Sequence, residues 1–339
     1  MNAVRIVDIA RTAEVSTATV SHALKGTGRM TDSTRNRVLE IAGLLGYPTR
    51  EARVRTGTLG LAVPTHRDLA WNFVDVAYYA QAVTAATAVA HRHGYALSVL
   101  PSTPGSGQAL DLDGVILIDA PAEDPLTDTL RRAGTPLVFV GRPVNGRPGD
   151  LWVGSDHTTA VRSVLDHLAA EGARRIALIA GPGPESYSRV CLEAYQDWCA
   201  EHGQEPLSAP LVPGAGSDTA AHTLLGRADR PDAVYGIYSM SGRSLLTAAR
   251  HHGLRVPEDL LVACMSEDPV YAETEPPITT LSLFPRLAME AAVTALVGAI
   301  ESPGAHAPVM VPHRLTVRDS TRRRPRHEQG GTASGGGNV

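Results

Sequence analysis

The chain has 339 residues, more than one ordinary domain holds, so roughly two domains are expected at about 150 residues each. Its 43% hydrophobic and 19% charged residues can build a sizeable core, which excludes a chain disordered throughout, and no apolar run approaches the ~18 residues of a membrane span. A formal net charge of −4 argues against a surface given over entirely to nucleic acid but leaves room for a small basic head.

The opening residues, Met1 to Asp8, have no basic stretch followed by an apolar one, so a cytoplasmic protein is expected. Cys191, Cys199 and Cys264 fit no metal spacing and cannot all pair; they read as buried small hydrophobes. Charge is divided along the chain. Residues 1–57 carry +4, the segment from Arg322 onward +3, and residues 58–321 about −11.

Three short bursts of apolar residues at helical spacing come first: Ile6, Ile9, Ala10 and Ala13; then Ala18, Val20, Ala23 and Leu24, opened by Ser16 as an N-cap; then Val38, Ile41, Ala42 and Leu45, starting at Thr31 or Asp32 and stopped by Gly46. These predict a compact three-helix head. From Thr58 apolar strands alternate with amphipathic helices. Strands are expected at 59–63, 96–100, 115–118, 137–140, 176–180, 233–237 and 260–264. Helices are expected at 74–92, 126–133, 157–171, 189–202, 219–227, 241–252 and 286–300. Such alternation predicts parallel sheets wound on both faces, and its length predicts two lobes with a ligand cleft at the carboxyl ends of the strands. The expected architecture is therefore a small all-α head followed by a two-lobed α/β body with doubly wound parallel sheets. The Gly-rich end, from Pro325, cannot bury apolar surface and is expected to be disordered.

The run Val4-Arg5-Ile6-Val7-Asp8-Ile9-Ala10 through Val15-Ser16-Thr17-Ala18-Thr19-Val20-Ser21-His22-Ala23-Leu24, continued by Thr31 to Leu39 and Leu45-Gly46-Tyr47, closely resembles the helix-turn-helix of the LacI/GalR repressor family. The body resembles the periplasmic-binding-protein-like sensor of the same repressors, in Val153-Gly154-Ser155-Asp156, Leu254 to Asp259 and Leu315 to Thr321. The resemblance implies a helix-turn-helix domain at 1–47, a hinge linker at 48–57, a sensor and dimerisation domain at 58–321 and a basic Gly-rich tail at 322–339. Small and hydrogen-bonding side chains let a helix enter the major groove, and Ser16, Thr17, Ala18, Thr19, Ser21 and His22 are of that kind. By resemblance Thr17, Ala18 and His22 read base edges, while Ser16, Thr19 and Ser21 touch phosphate or cap helices. Arg5, Arg35 and Arg37 add backbone attraction.

Departures from the family pattern carry expectations of their own. His22 stands where the family has arginine, so a bidentate contact to guanine becomes at best one hydrogen bond. Glu14 replaces the glycine of the turn, where positive φ strains any other residue. The linker is about five residues short and offers Val54 where the family wedges a leucine into the minor groove, with Arg53 and Arg55 expected to contact phosphate or groove. In the sensor, the family's arginine is Cys191, four residues before the aromatic Tyr195. Its Asn-Asp pair is Tyr238-Ser239, and its last carboxylates are Ser266-Glu267. Losing these groups argues against an ordinary sugar. Either the cleft takes something less polar, with Trp71, Phe73, Tyr238 and Met265 helping, or it binds nothing. Residues 102–113 read as a Gly-Pro-Ser loop in place of a family helix.

Gly181-Pro182-Gly183-Pro184 lacks the Lys-Ser/Thr of a phosphate loop, and no Gly-x-Ser-x-Gly elbow is present. His91, His93, His251 and His252 read as solvated side chains. No enzymatic activity, cofactor or metal is expected. The expected partners are an operator of double-stranded DNA, a small-molecule effector and a second copy of the chain, without a membrane. The expected function is a sequence-specific transcriptional repressor; the alternatives are a solute-binding module with a degenerate head and an effector-independent regulator.

Overall fold

The computed structural model describes residues 5–25, 27–28, 30–45, 57–63, 76–101, 111–181, 186–211, 218–302, 304 and 307–323. The head contains helices α1 (Ile6–Ala13), α2 (Thr17–Lys25) and α3 (Asp32–Leu44). Their inward positions, Ile9, Ala13, Val20, Ala23, Val38 and Ala42, form one buried cluster, so the helical periodicity of the sequence is the periodicity of a core. Each helix is started by a cap. Asp8 Oδ2 accepts from Arg5 N (2.9 Å), Ser16 Oγ from Thr19 N (3.0 Å) and Thr31 Oγ1 from Thr34 N (3.2 Å). Between α1 and α2 the chain turns on Glu14, which takes the left-handed conformation at φ 55° while Val15 N donates to Ala10 O (3.1 Å).

The body has two six-stranded sheets. In lobe 1 the order is β11-β5-β4-β3-β1-β2, with β1 Gly57–Val63, β2 Tyr95–Pro101, β3 Gly114–Ile118, β4 Leu137–Val140, β5 Leu151–Gly154 and β11 Val309–Met310. In lobe 2 it is β12-β10-β9-β8-β6-β7, with β6 Ile176–Ala180, β7 Ser208–Pro210, β8 Ala233–Gly236, β9 Leu261–Met265, β10 Thr279–Ser282 and β12 Arg314–Thr316. All pairings are parallel except β10 with β12. Successive residues of one strand face opposite covers, which is why the central strands are apolar throughout. Ile116 and Ile118 pack against α4 (Ala77–Arg92) and α10 (Pro285–Glu301), whereas Val115 and Leu117 pack against α5 (Pro125–Ala133). Lobe 2 repeats the plan: Leu178 and Leu261 face α6 (His157–Ala170) and α7 (Ser186–Glu201), and Ile179 and Val262 face α8 (Asp218–Leu225) and α9 (Met240–His251).

Three features depart from the sequence reading. The strands β5, β7, β10, β11 and β12 were not anticipated; all are four residues or shorter, and β10 is Thr-Thr-Leu-Ser, too polar for the apolar-run criterion. The lobes are not consecutive in sequence. The chain passes from β5 into α6, returns from β10 into α10, which packs in lobe 1 on α4 and beside β3 to β5, and crosses again from β11 to β12. Finally, Arg322 and Arg323, read as the start of the tail, are bonded to the body: Arg322 N donates to Asp319 O (3.2 Å), and Arg323 donates through Nη1 to Gly172 O (3.0 Å) and through N to Glu171 Oε2 (3.3 Å). The three cysteines are free and buried. No helix among the described residues is long and apolar enough to cross a membrane.

Candidate nucleic-acid interface and effector cleft

Helix α2 turns Val20 and Ala23 to the core, which leaves Thr17, Ala18 and His22 exposed and Thr19 and Ser21 partly so. This face is low in relief and rich in hydroxyls, as a helix entering a groove requires. Ser16 and Thr19 also pair with each other through their hydroxyls (2.8 Å), a local bond that holds the start of the helix. His22 is engaged on one side: Nδ1 lies 3.3 Å from Thr27 Oγ1, and the ring rests against Gly28, where an added Cβ would stand 3.0 Å from His22 Cγ. Gly28 holds φ at +84°, so this position needs glycine both for conformation and for room. Arg5 is exposed beside Asp8 (4.0 Å), Arg35 is partly buried, and Arg37 pairs with Glu14 (3.7 Å). Arg53, Val54 and Arg55 lie outside the described residues, as do Trp71 and Phe73.

Between the lobes lies a cavity of about 310 Å³. It is bounded where strands end: Ile118 and Asp119 at the end of β3, Val140 and Gly141 at the end of β4, Gly154 and Ser155 at the end of β5, and Tyr238 and Ser239 just beyond β8. This is the crevice that open α/β sheets offer to ligands, because each strand terminates there and hands over to a loop. Tyr78, Tyr79, Tyr187 and Tyr271 complete an aromatic wall, with Met240 and Met265 beside them. Arg243, Thr247 and Asp218, exposed, mark the mouth.

Hydrogen bonds join the lobes around this space. Asp119 Oδ1 of lobe 1 accepts from Tyr187 N, in the first turn of α7 (2.6 Å); Ser186 Oγ donates to Arg142 O (2.8 Å); and Gln81 Nε2 donates to Glu267 O (3.2 Å). Asp119 takes this position at φ 49°. Nearby, His157 opens α6 behind the cap Asp156 and meets Tyr187 edge to face, centroids 4.9 Å apart. Burial pushes its imidazole down to about 4, so it is neutral at pH 7.

Among the described residues expected around the ligand, Tyr238, Ser239 and Met265 line the cavity, whereas Cys191, Tyr195, Ser266 and Glu267 do not. The placing of the others corrects the expectation drawn from family positions. Cys191 and Tyr195 face the core of lobe 2, both fully buried. Burial raises the Cys191 thiol, and the Tyr195 hydroxyl donates to Ile176 O (2.8 Å) while accepting from Leu207 N (2.8 Å), tying the edge of the sheet together. Ser266 is turned toward the rim, where its hydroxyl meets Ser239 Oγ (2.7 Å) and accepts from Asp268 N (3.0 Å). Glu267 points to the crossover into α10, accepting from Leu283 N (2.8 Å) and Ser282 Oγ (2.8 Å); burial raises its pKa. The sequence reading missed Asp119, His157 and Tyr187. Asp119 directly follows an expected strand, but His157 follows the unforeseen β5, and Tyr187 precedes the expected start of its helix.

His222 stands against His251 and His252, ring centroids 5.0 and 5.3 Å away, a proximity that sequence spacing does not show. Among the described residues no group of three His, Cys, Asp or Glu side chains is placed to hold a metal ion.

Comparison with known proteins agrees with both halves of this geometry. The family model of bacterial regulatory proteins, lacI family, matches residues 5–49, and that of the periplasmic binding protein-like domain matches residues 165–321. An uncharacterized HTH-type transcriptional regulator "in aml 5'region" of Streptomyces limosus is 33% identical over 94% of each chain. The transcriptional regulator CelR in complex with cellobiose is 27% identical, with a TM-score of 0.70 over 94% of this chain and 99% of its own. The lac repressor dimer bound to operator and the anti-inducer ONPF shares the fold at 20% identity, with a TM-score of 0.74 over 94% and 99%. The chain belongs to the LacI family of bacterial regulatory proteins: it is a DNA-binding transcriptional regulator with a ligand-binding body.

Proposed function

We propose that this regulator is a repressor that binds a pseudo-palindromic operator as a homodimer, in the cytoplasm where that DNA lies, with its affinity set by a small molecule in the cleft between the lobes. The observation that carries the reading is the exposed face Thr17, Ala18 and His22 on α2, in a chain whose body closes a cavity at its strand ends. One small head makes too few contacts for tight specific binding, and two heads related by a twofold axis match a palindrome. The lac repressor, similar in fold, is a dimer on its operator.

Regulation follows from the bonds that span the cleft. A ligand that binds one arrangement of the lobes better than another shifts the population toward it, by no more than the difference in affinity. Asp119, Ser186 and Gln81 are the groups whose bonds such a shift would make or break.

Genome-wide mapping of the DNA bound by the full chain tests the reading. An enriched pseudo-palindromic site is expected, and it should lose its enrichment when Thr17 and His22 are both replaced by alanine. Binding without a shared site, or a site indifferent to those replacements, overturns it.

A further inference from the structure

Helices α8 and α9 lie side by side on lobe 2 because Ala220, Ala221, Leu224 and Leu225 of the one join the same buried cluster as Leu245, Leu246, Ala248 and Ala249 of the other. The two helices also end together. His222 stands in the last turn of α8, His251 closes α9, and His252 is its C-cap. Three imidazoles from two elements thereby meet. The ring centroids of His222 and His251 are 5.0 Å apart, those of His222 and His252 5.3 Å, and those of His251 and His252 5.3 Å. His251 is exposed and the other two are partly buried, so the cluster is open to solvent.

His222 Nδ1 lies 3.3 Å from His252 Nε2. That is longer than the ~2.7–3.2 Å of most N–H hydrogen bonds. It matches two nitrogens bound to one tetrahedral zinc, which stand about 3.3–3.4 Å apart when each Zn–N bond is ~2.0–2.1 Å. Gly226 keeps this side open: a Cβ there would stand 3.5 Å from His252 Cε1 and 4.0 Å from its Nε2, so a side chain would crowd the approach. Partial desolvation, and then the neighbouring His251, His222 and Arg230, hold the His252 imidazole below its ordinary range. A neutral ring keeps the lone pair that a metal needs. Arg230 opposes a cation, but two helix C-termini converge here, and their unpaired carbonyls and negative dipole ends favour one. As placed, His222 and His252 supply two ligands. A turn about the side-chain bonds of the exposed His251 brings the third.

We propose that His222, His252 and, after that turn, His251 bind a zinc-class divalent metal ion, which ties the end of α8 to the end of α9. Imidazole nitrogens suit Zn2+, Ni2+ and Cu2+, whereas Mg2+ and Ca2+ take oxygen ligands. The tie bears on the cleft as well. Asp218 at the start of α8, and Arg243 and Thr247 on α9, mark its mouth, so the metal fixes the pair of helices that carries them. The site stands apart from the regulator reading and does not depend on it.

Titration calorimetry and thermal shift of the full chain, carrying no purification tag, test it with ZnCl2, NiCl2, MgCl2 and CaCl2. One Zn2+ per chain is expected to bind with a dissociation constant on the order of 10 μM and to raise the unfolding midpoint, an effect that EDTA reverses. Ni2+ should follow, and Mg2+ and Ca2+ should give no response. His222→Gln, His251→Gln and His252→Gln should each weaken zinc binding about tenfold or more. The metal-free midpoint should hardly move, because none of the three side chains is in the core. Replacing both His91 and His93 by glutamine, at the end of α4, should leave zinc binding unchanged. Hydrogen exchange of amides at the ends of α8 and α9 should slow in zinc, which binding elsewhere on the surface would not cause. Silence up to millimolar zinc, unchanged affinity in any of the three single variants, or loss of binding with His91 and His93 overturns the assignment.

Discussion

Glu14 holds the turn of the DNA-reading head at φ 55°, a conformation that costs a side chain bearing a Cβ about 1–2 kcal/mol. Its ion pair with Arg37 recovers little, because the carboxylate is 81% and the guanidinium 58% exposed. Glu14→Gly should therefore stabilise the head by about 1 kcal/mol, net of the extra backbone entropy that glycine loses on folding. Hydrogen-exchange protection of α1 and α2 amides measures the change; a loss of protection would mean that the Arg37 contact outweighs the strain. The neighbouring departure, His22, has a structural consequence as well. With Nδ1 against Thr27 and the ring on Gly28, one nitrogen is left for another partner; on the proposed reading, in which His22 meets a base edge, discrimination there would rest on one bond rather than the two of an arginine fork. Both departures were legible once the sequence was set beside the family pattern, because the consequence of each depends on local chemistry.

The meeting of β3 and α7 is the corresponding feature among the elements. The first amides of α7 have no partner within their own helix, and the positive end of the helix dipole lies there, so a carboxylate is the favoured neighbour. Lobe 1 provides it: Asp119, at the end of β3, accepts from Tyr187 N across the cleft. Asp119→Ala should loosen the closed arrangement by about 1–3 kcal/mol, the scale of a hydrogen bond to a charged group. Small-angle scattering would register this as a larger radius of gyration, and an unchanged radius would show that Ser186 and Gln81 hold the lobes without it. No such pairing could be read from the sequence. Periodicity reveals each strand and helix separately, and it found the long ones because their covered faces repeat. It overlooked β5 and β10, which are too short or too polar to repeat anything. The cleft suffered accordingly. Family position pointed to Cys191 and Tyr195, but the side of α7 that packs on β6 and β8 takes both into the core. Tyr238, given by the same family comparison, does line the cleft, because it lies just beyond the carboxyl end of β8.

For the molecule as a whole, the division of charge sets how it meets DNA: +4 in residues 1–57 against about −11 in residues 58–321. Operator affinity should fall linearly on a double-logarithmic plot against salt, by about 0.9 per phosphate neutralised. Arg5→Ala should flatten that slope by about one, uniformly across sequences; an unaltered slope would place Arg5 away from the phosphates. The winding of the body has a different consequence, one that concerns how the protein is made. The head is a continuous stretch, and lobe 2 lacks only its edge strand β12 and the segment 318–323 that packs on β9 and β10 once residue 283 has been synthesised. Lobe 1, begun earlier, waits for α10 to cover Ile116, Val138 and Val153. On the ribosome the sensor's first lobe is thus completed nearly last. A copy whose translation stops before Pro285 exposes an uncovered apolar sheet, a form fit for chaperone capture and degradation rather than for occupying an operator with half a sensor.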